Sequence, residues 1–259
     1  MSSKYYLAVD IGNTHSVIGL LKDNEIIRSW RISTNKNITC HELAPIIAFW
    51  LHPFDLDLNN LSGTIISSVV PPVNQVWLEL AQNYFKCPFL DAHDVALKII
   101  DILYPRPHEI GTDRLINAIG AYQRIKGPCI IADFGTATTF DCVSEKGEYL
   151  GGSIAPGIYM SLEALFSATS KLPLVRLDSK AVSPIGKSTE EAIRSGILYG
   201  FAGLTDRIIT ELEKTYEHPP TVIATGGLAP NIFSLSQKLQ CMMPDITMEG
   251  LSICIQTAL

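Results

Sequence analysis

Apolar and polar positions alternate in short blocks from the start of the chain. YYLAVD is an apolar run closed by Asp10, and VIGLL and IIRSWRI flank the polar break KDNE. Short apolar runs bounded by turn residues are the pattern of strands, so this stretch predicts three of them. The period then lengthens. Thr39 and Glu42 have capping-box spacing ahead of LAPIIAFWL, which predicts a helix. TIISSVV predicts a β-branched strand that stops at Pro71-Pro72 and gives way to the helical pattern VNQVWLELAQNYF. GTDRLINAIGAYQRI predicts another helix, with Thr112 or Asp113 placed to cap it, and CIIADFG a fresh buried strand.

That strand restarts the opening pattern. With an offset of 123 residues, Asp10 falls on Asp133, Gly12 on Gly135, KDNE on EKGE and Glu25 on Glu148. Both copies read as strand, Asp-x-Gly turn, strand, tight turn, strand. Ordinary turn chemistry shared by two unrelated units is the competing explanation. The Asp-x-Gly at the same point of the same hairpin favours duplication, and a repeat of this length is no solenoid, whose period is about 20–50 residues. The expected fold class is therefore α/β, with two duplicated domains over residues 1–125 and 126–259.

The second half continues with a helix from Ile158 to Ala168 and a loop rich in Pro and Ser. Ser188 and Glu191 are then spaced as a capping box for a long helix reaching about Tyr216. Its apolar residues Ile193, Ile197, Phe201, Leu204, Ile208 and Leu212 keep helical spacing. Gly196, Gly200 and Gly203 each cost such a helix about 1 kcal/mol relative to Ala. Either close approach of another helix, as from a second subunit, or simple drift accounts for them. TVIATGG predicts a last strand and turn.

Composition narrows the class. In 259 residues, 47% are apolar, 18% are charged and the net charge is −6. That argues against disorder and against extended nucleic-acid contact, which needs many Lys/Arg–phosphate pairs. No apolar run is long enough to span a membrane, and Asp10 and Asn13 interrupt the start as a signal peptide would not tolerate. The six cysteines are scattered without C-x-x-C spacing, as in a reduced cytoplasmic protein.

Both Asp-x-Gly turns suit phosphate. A carboxylate at a strand end holds a cation, the glycine lets following N–H groups turn inward, and Asn13, Thr14, Ser16, Thr136, Thr138 and Thr139 add short donors. GKS at Gly186–Ser188 lacks the preceding strand and first glycine of a P-loop, and no G-x-G-x-x-G, H-E-x-x-H or G-x-S-x-G occurs. GTDR, residues 111–114, has two readings. One is a helix start with a surface arginine; the other is an acceptor site where Asp113 orients a hydroxyl and Arg114 faces developing charge. Spacing does not choose between them.

DIGNTHSV, YPRPHEIGTDR, DFGTATTFD with GGSIAPG, TGGLA and PDITMEGL occur in this order. Together they resemble type III pantothenate kinases, from Asp10 to about Leu251. The resemblance implies membership of the acetate and sugar kinase, heat-shock chaperone and actin superfamily, with two ribonuclease-H-like domains and a cleft between them. It implies ATP-dependent phosphorylation of pantothenate, the first step of coenzyme A synthesis, by a cytoplasmic homodimer binding neither nucleic acid nor membrane. Asp10, Ile11, Gly12, Asn13, Thr14, His15, Ser16 and Val17 would hold ATP, with Asp10 near Mg²⁺ and Thr136 adding a contact. Asp133 would bind a monovalent cation, K⁺ or NH₄⁺. Tyr104, Gly111, Thr112, Asp113 and Arg114 would line the pantothenate site, Asp113 as proton acceptor, and Thr189 would reach substrate across the dimer. Thr112 departs from the alanine more usual there. Another small-molecule kinase of the superfamily, or a non-catalytic transcriptional accessory protein, are the alternatives; the YPRP…GTDR pairing speaks against the first and the retained Asp113 against the second.

Overall fold

The alternating blocks fold into two five-stranded sheets with the same strand order. A computed structural model describes residues 3–177 and 183–259; part of the expected Pro- and Ser-rich loop lies outside the described residues. The first sheet contains β1 (Tyr5–Ile11), β2 (His15–Lys22), β3 (Glu25–Ser33), β4 (Leu61–Ser68) and β5 (Phe89–Asp91), in the order β3-β2-β1-β4-β5. The second contains β6 (Cys129–Phe134), β7 (Ala137–Val143), β8 (Tyr149–Pro156), β9 (Thr221–Thr225) and β10 (Cys241–Met242), in the order β8-β7-β6-β9-β10. Each is an antiparallel three-stranded meander whose first strand also pairs with a parallel strand. The duplication read from sequence is thus a duplication of topology, the ribonuclease-H-like arrangement.

The turns carry the duplication with two compensating changes. Asp10 pairs with Val17, whereas Asp133 pairs with Thr139, so the second Asp-x-Gly turn is one residue shorter. The next turn restores the count: Lys22 pairs with Glu25 around Asp23, while the second copy closes through Ser144, Glu148 and a left-handed Gly147 at φ 87°. The two differences cancel, and the offset of 123 recurs on either side.

The helices are α1 (Cys40–Leu51), α2 (Pro71–Leu80), α3 (Ala92–Ile99), α4 (Thr112–Ile125), α5 (Ile158–Ser167), α6 (Thr189–Glu213), α7 (Ala229–Phe233) and α8 (Ile246–Ala258). The Thr39–Glu42 capping box forms in full and starts α1. At α6 only half of the expected box forms: Ser188 Oγ accepts from Glu191 N at 3.2 Å, but the Glu191 carboxylate accepts from Lys187 N instead. Leu7, Val9 and Ile11 of β1 are sealed by Leu43 and Ile47 of α1 and Trp77 and Leu80 of α2. Ile130, Ala132 and Phe134 of β6 are sealed by Leu162 of α5, Phe201 of α6 and Ile232 of α7. Gly196, Gly200 and Gly203 lie on an exposed face of α6, with open space where a Cβ would stand.

The chain divides into two compact units, Met1–Gly120 with Ile246–Leu259, and Ala121–Asp245. A division at residue 125 places the C-terminal helix with the second half; instead α8 packs on β1, β4 and α3 of the first unit. Small residues make this possible. A Cβ on Gly120 would strike the Ile246 carbonyl, and one on Gly250 the Ile116 carbonyl, so α4 and α8 meet backbone to backbone. Thr247 Oγ1 donates to Oδ1 of the buried Asn117 at 2.7 Å beside this crossing. Overpacking a site this tight costs about 1–3 kcal/mol. Gly250→Ala should therefore lower the thermal midpoint by several degrees despite the better helix propensity of alanine; an unchanged or raised midpoint would contradict the close crossing.

Candidate active site

Asp10 lies near the C-terminal end of β1, in a row of residues running across the sheet. Ser67 of β4, Asp10, Val17 of β2 and Arg31 of β3 are in register. Ser67 Oγ donates to Asp10 Oδ1 at 3.0 Å. A register shift between Leu20 and Leu21 puts Arg31 in this row and turns Trp30 to the opposite face, where it stacks on Trp50 with ring centroids 5.2 Å apart.

The loop after Asp10 is held by Thr34. Thr34 Oγ1 donates to the Gly12 carbonyl at 2.7 Å and lies 2.9 Å from Ser16 Oγ, while Thr34 N donates to the Thr14 carbonyl at 3.0 Å. Gly12 N donates to the His15 carbonyl at 3.0 Å. The expected nucleotide loop therefore sorts by exposure. Asn13, Thr14 and His15 face solvent, Val17 is half-buried, and Ile11 belongs to the core; the buried Ser16 spends its hydroxyl on Thr34.

The GTDR segment opens α4. Asp113 is its second residue, and its Oδ1 accepts from Arg114 N at 2.9 Å. Gly111 precedes the helix, where a Cβ would crowd the Asp113 carboxylate at 2.5 Å. Thr112 turns inward, with Oγ1 3.4 Å from Nδ1 of His93, so its hydroxyl serves α3. Tyr104 is exposed in the preceding loop.

The fold brings Asp10 and Asp113 into one electrostatic neighbourhood. Burial pushes the Asp10 carboxyl up to about 6, and the charge of Asp113 adds to the rise; the Ser67 hydroxyl and the Arg31 guanidinium oppose it. Asp113 is raised as well, chiefly by burial, against the Arg114 N–H and guanidinium that favour its ionised form. A half-buried acid that feels the charge of a second acid gains from a bound cation, and one of raised proton affinity is better able to collect a proton.

The second unit builds its own carboxylate loop. Asp133 lies near the end of β6, and Gly135 N donates to the Ala137 carbonyl at 3.1 Å, as Gly12 does to His15 in the first copy. Gly226, at φ 89°, brings its backbone against the Asp133 carboxylate, where a Cβ would clash. Gly157 lies as closely against the Thr136 carbonyl. Thr136 itself is exposed; Thr138 is fully buried. Thr189 opens α6 in an exposed position and borders an apolar cavity of about 350 Å³ with Leu165, Leu172, Ile193 and Ile197.

Sequence reading missed Ser67, Arg31, Thr34, Gly226 and Gly157. Only Gly226 and Gly157 carried a signal, as glycines next to strand ends. The others gain meaning through register, which single residues do not announce.

The profile of the family described as type III pantothenate kinase matches residues 6–211. A type III pantothenate kinase of Desulfosudis oleivorans is 42% identical over 247 residues, covering 95% of this chain and 97% of its own. One from Geobacter sulfurreducens is 40% identical over 247 residues, covering 95% and 96%. Among solved structures, a Campylobacter jejuni protein assigned to the Baf family of transcriptional activators superposes with a TM-score of 0.60 at 17% identity, over 97% of this chain and 98% of that one. A 2-dehydro-3-deoxygalactonokinase-like protein of Sinorhizobium meliloti gives 0.59 at 14% identity, over 98% and 99%. These two likenesses speak for the fold alone, whereas the profile and the sequence identities carry the assignment: the chain belongs to the type III pantothenate kinase family.

Proposed function

We propose that this chain transfers the γ-phosphoryl group of ATP to the terminal hydroxyl of pantothenate, giving 4′-phosphopantothenate at the entry to coenzyme A synthesis in the cytoplasm. The observation that carries this reading is that Asp10 and Asp113 are both half-buried carboxylates of raised proton affinity, with the charge of Asp113 felt at Asp10. It joins the two motifs that a small-molecule kinase needs, a phosphate loop and a hydroxyl acceptor.

Phosphoryl transfer is mostly positioning and charge neutralisation. The loop from Asp10 to Val17 holds ATP phosphates, with exposed Asn13, Thr14 and His15 nearest the ligand. Thr136 adds a contact from the second loop. Asp10 would hold Mg²⁺: one carboxylate oxygen accepts from Ser67, and an acid of raised proton affinity that feels a second acid would be relieved by a divalent ion. That ion would neutralise charge on the transferred group. A K⁺ or NH₄⁺ ion fits Asp133 where Gly226 keeps side-chain bulk away. Tyr104, Gly111, Thr112 and Arg114 line the pantothenate site, Arg114 supplying a fixed positive charge. In a loose transition state the hydroxyl proton leaves late. Asp113 therefore orients the hydroxyl first and takes the proton afterwards, a task eased by its raised proton affinity.

The open glycine face of α6 suits a second copy of the chain, and Thr189 at the head of that helix would contribute to the partner's substrate site. Gly200→Leu should shift sedimentation toward monomer and leave the isolated fold intact; an unchanged dimer would remove this face from the interface.

Coupled ADP release measures the function directly. The parent should release ADP with pantothenate and Mg-ATP, and little without pantothenate. Asp113→Asn should keep its circular dichroism spectrum and ATP affinity while kcat falls roughly 10²–10⁴-fold. Pantothenate-independent release by the parent, or near-parental turnover by Asp113→Asn, would reject the reading.

A further inference from the structure

Behind the second loop lies a buried polar chain that the functions above leave unused. Asp141 of β7 is wholly buried, and Oδ1 accepts from the Tyr149 hydroxyl at 2.7 Å, Tyr149 being equally buried. Oδ2 accepts from Thr139 Oγ1 at 3.3 Å. Thr139 is two residues from Asp141 on the same strand and pairs directly with Asp133 of β6, so all three side chains share one face of the sheet. Directly paired residues hold their Cβ atoms about 5 Å apart, close enough for two side-chain oxygens to reach one ion.

The hydroxyl of Thr139 has a single proton, and that proton is committed to Asp141. Toward anything else Thr139 offers only lone pairs. It is therefore a poor donor to phosphate, the role its place in the loop suggests, and a good ligand for K⁺ or for the N–H groups of NH₄⁺. Thr139 is half-buried and so remains reachable from solvent, while the two groups behind it are sealed.

We infer that Thr139 is a second ligand of the monovalent cation at Asp133, and that Asp141, oriented by Tyr149, is a positioning residue that keeps the Thr139 lone pairs turned to the ion. This rests on the reading of Asp133 as a cation site. It assigns Thr139 to the cation and removes it from the phosphate donors.

The test is a KCl titration of the full-length protein with bound Mg-ATP, at ionic strength held constant with choline chloride. Thermal midpoint and calorimetric ATP affinity are the readouts. Thr139→Val should raise the half-saturating KCl concentration about tenfold, with ATP affinity at saturating KCl within twofold of the parent. Thr139→Ser, which keeps the hydroxyl, should restore the parental value. Asp141→Asn presents an amide that donates to Thr139 and should also cost about tenfold, the size of effect seen for groups behind metal ligands. If Thr139→Val keeps the parental KCl dependence, or loses ATP affinity at saturating KCl, the assignment is overturned while the Asp133 reading stands. A parent protein and an Asp133→Asn variant that both ignore KCl would bring down the cation reading, and this assignment with it.

Discussion

A carboxylate that loses part of its water and feels a second carboxylate becomes harder to ionise, and Asp10 stands in that relation to Asp113 within the first unit. β1 delivers Asp10 at its end, α4 delivers Asp113 in its first turn, and the surrounding residues tolerate rather than remove the repulsion. Ser67 and Arg31 draw Asp10 back toward ionisation, and the Arg114 N–H and guanidinium do the same for Asp113. Under the proposed function, two acids of raised proton affinity suit a cation-bearing polyphosphate and a hydroxyl that must lose a proton. The acidity of the chain as a whole does not oppose the proposed function, in which backbone amides, hydroxyls and bound cations would take the place of lysines.

Much of the scaffold exists to fix the two ends of that pair. α4 carries Asp113, and its far turn is locked to α8 by the Gly120–Gly250 crossing and the Thr247–Asn117 hydrogen bond. The C-terminal helix, distant in sequence, thereby supports the helix that carries Asp113. The second unit repeats the carboxylate-loop design but specialises it. Its Asp-x-Gly turn is one residue shorter, its glycine partners come from β9 and α5 connections, and its hydroxyl at Thr139 is tied from behind by a sealed Asp–Tyr pair.

The strands and their duplication were legible because apolar periodicity and Asp-x-Gly turns are local signals. The Thr39–Glu42 box formed as spacing predicted, whereas Glu191 took Lys187 N, since two backbone donors lie within its reach and spacing does not rank them. Asp10, Asp113 and Asp133 stood out as carboxylates in turn or cap positions. What remained hidden depends on register and distance in space. Arg31 enters the Asp10 row only because a bulge shifts β3 by one residue; an unbroken two-residue turn would have set Trp30 there. Ser67 sits inside a predicted strand and Thr34 just after one, and neither carries a local signal of the hydrogen bond it makes; the nearness of the Thr112 hydroxyl to His93 is likewise a matter of space and not of sequence. The helix in PDITMEGL and its return to the first unit left no periodic trace, because α8 is buried on more than one side.

The coupling of Asp10 to Asp113 is most directly measured by carboxyl-carbon NMR titration of the metal-free and nucleotide-free protein with labelled aspartate. Asp10 should titrate near 6, well above the usual carboxylate range, and drop measurably in Asp113→Asn as one charge is removed. A titration of Asp10 near 4 in the parent, or one unmoved by Asp113→Asn, would contradict the pairing.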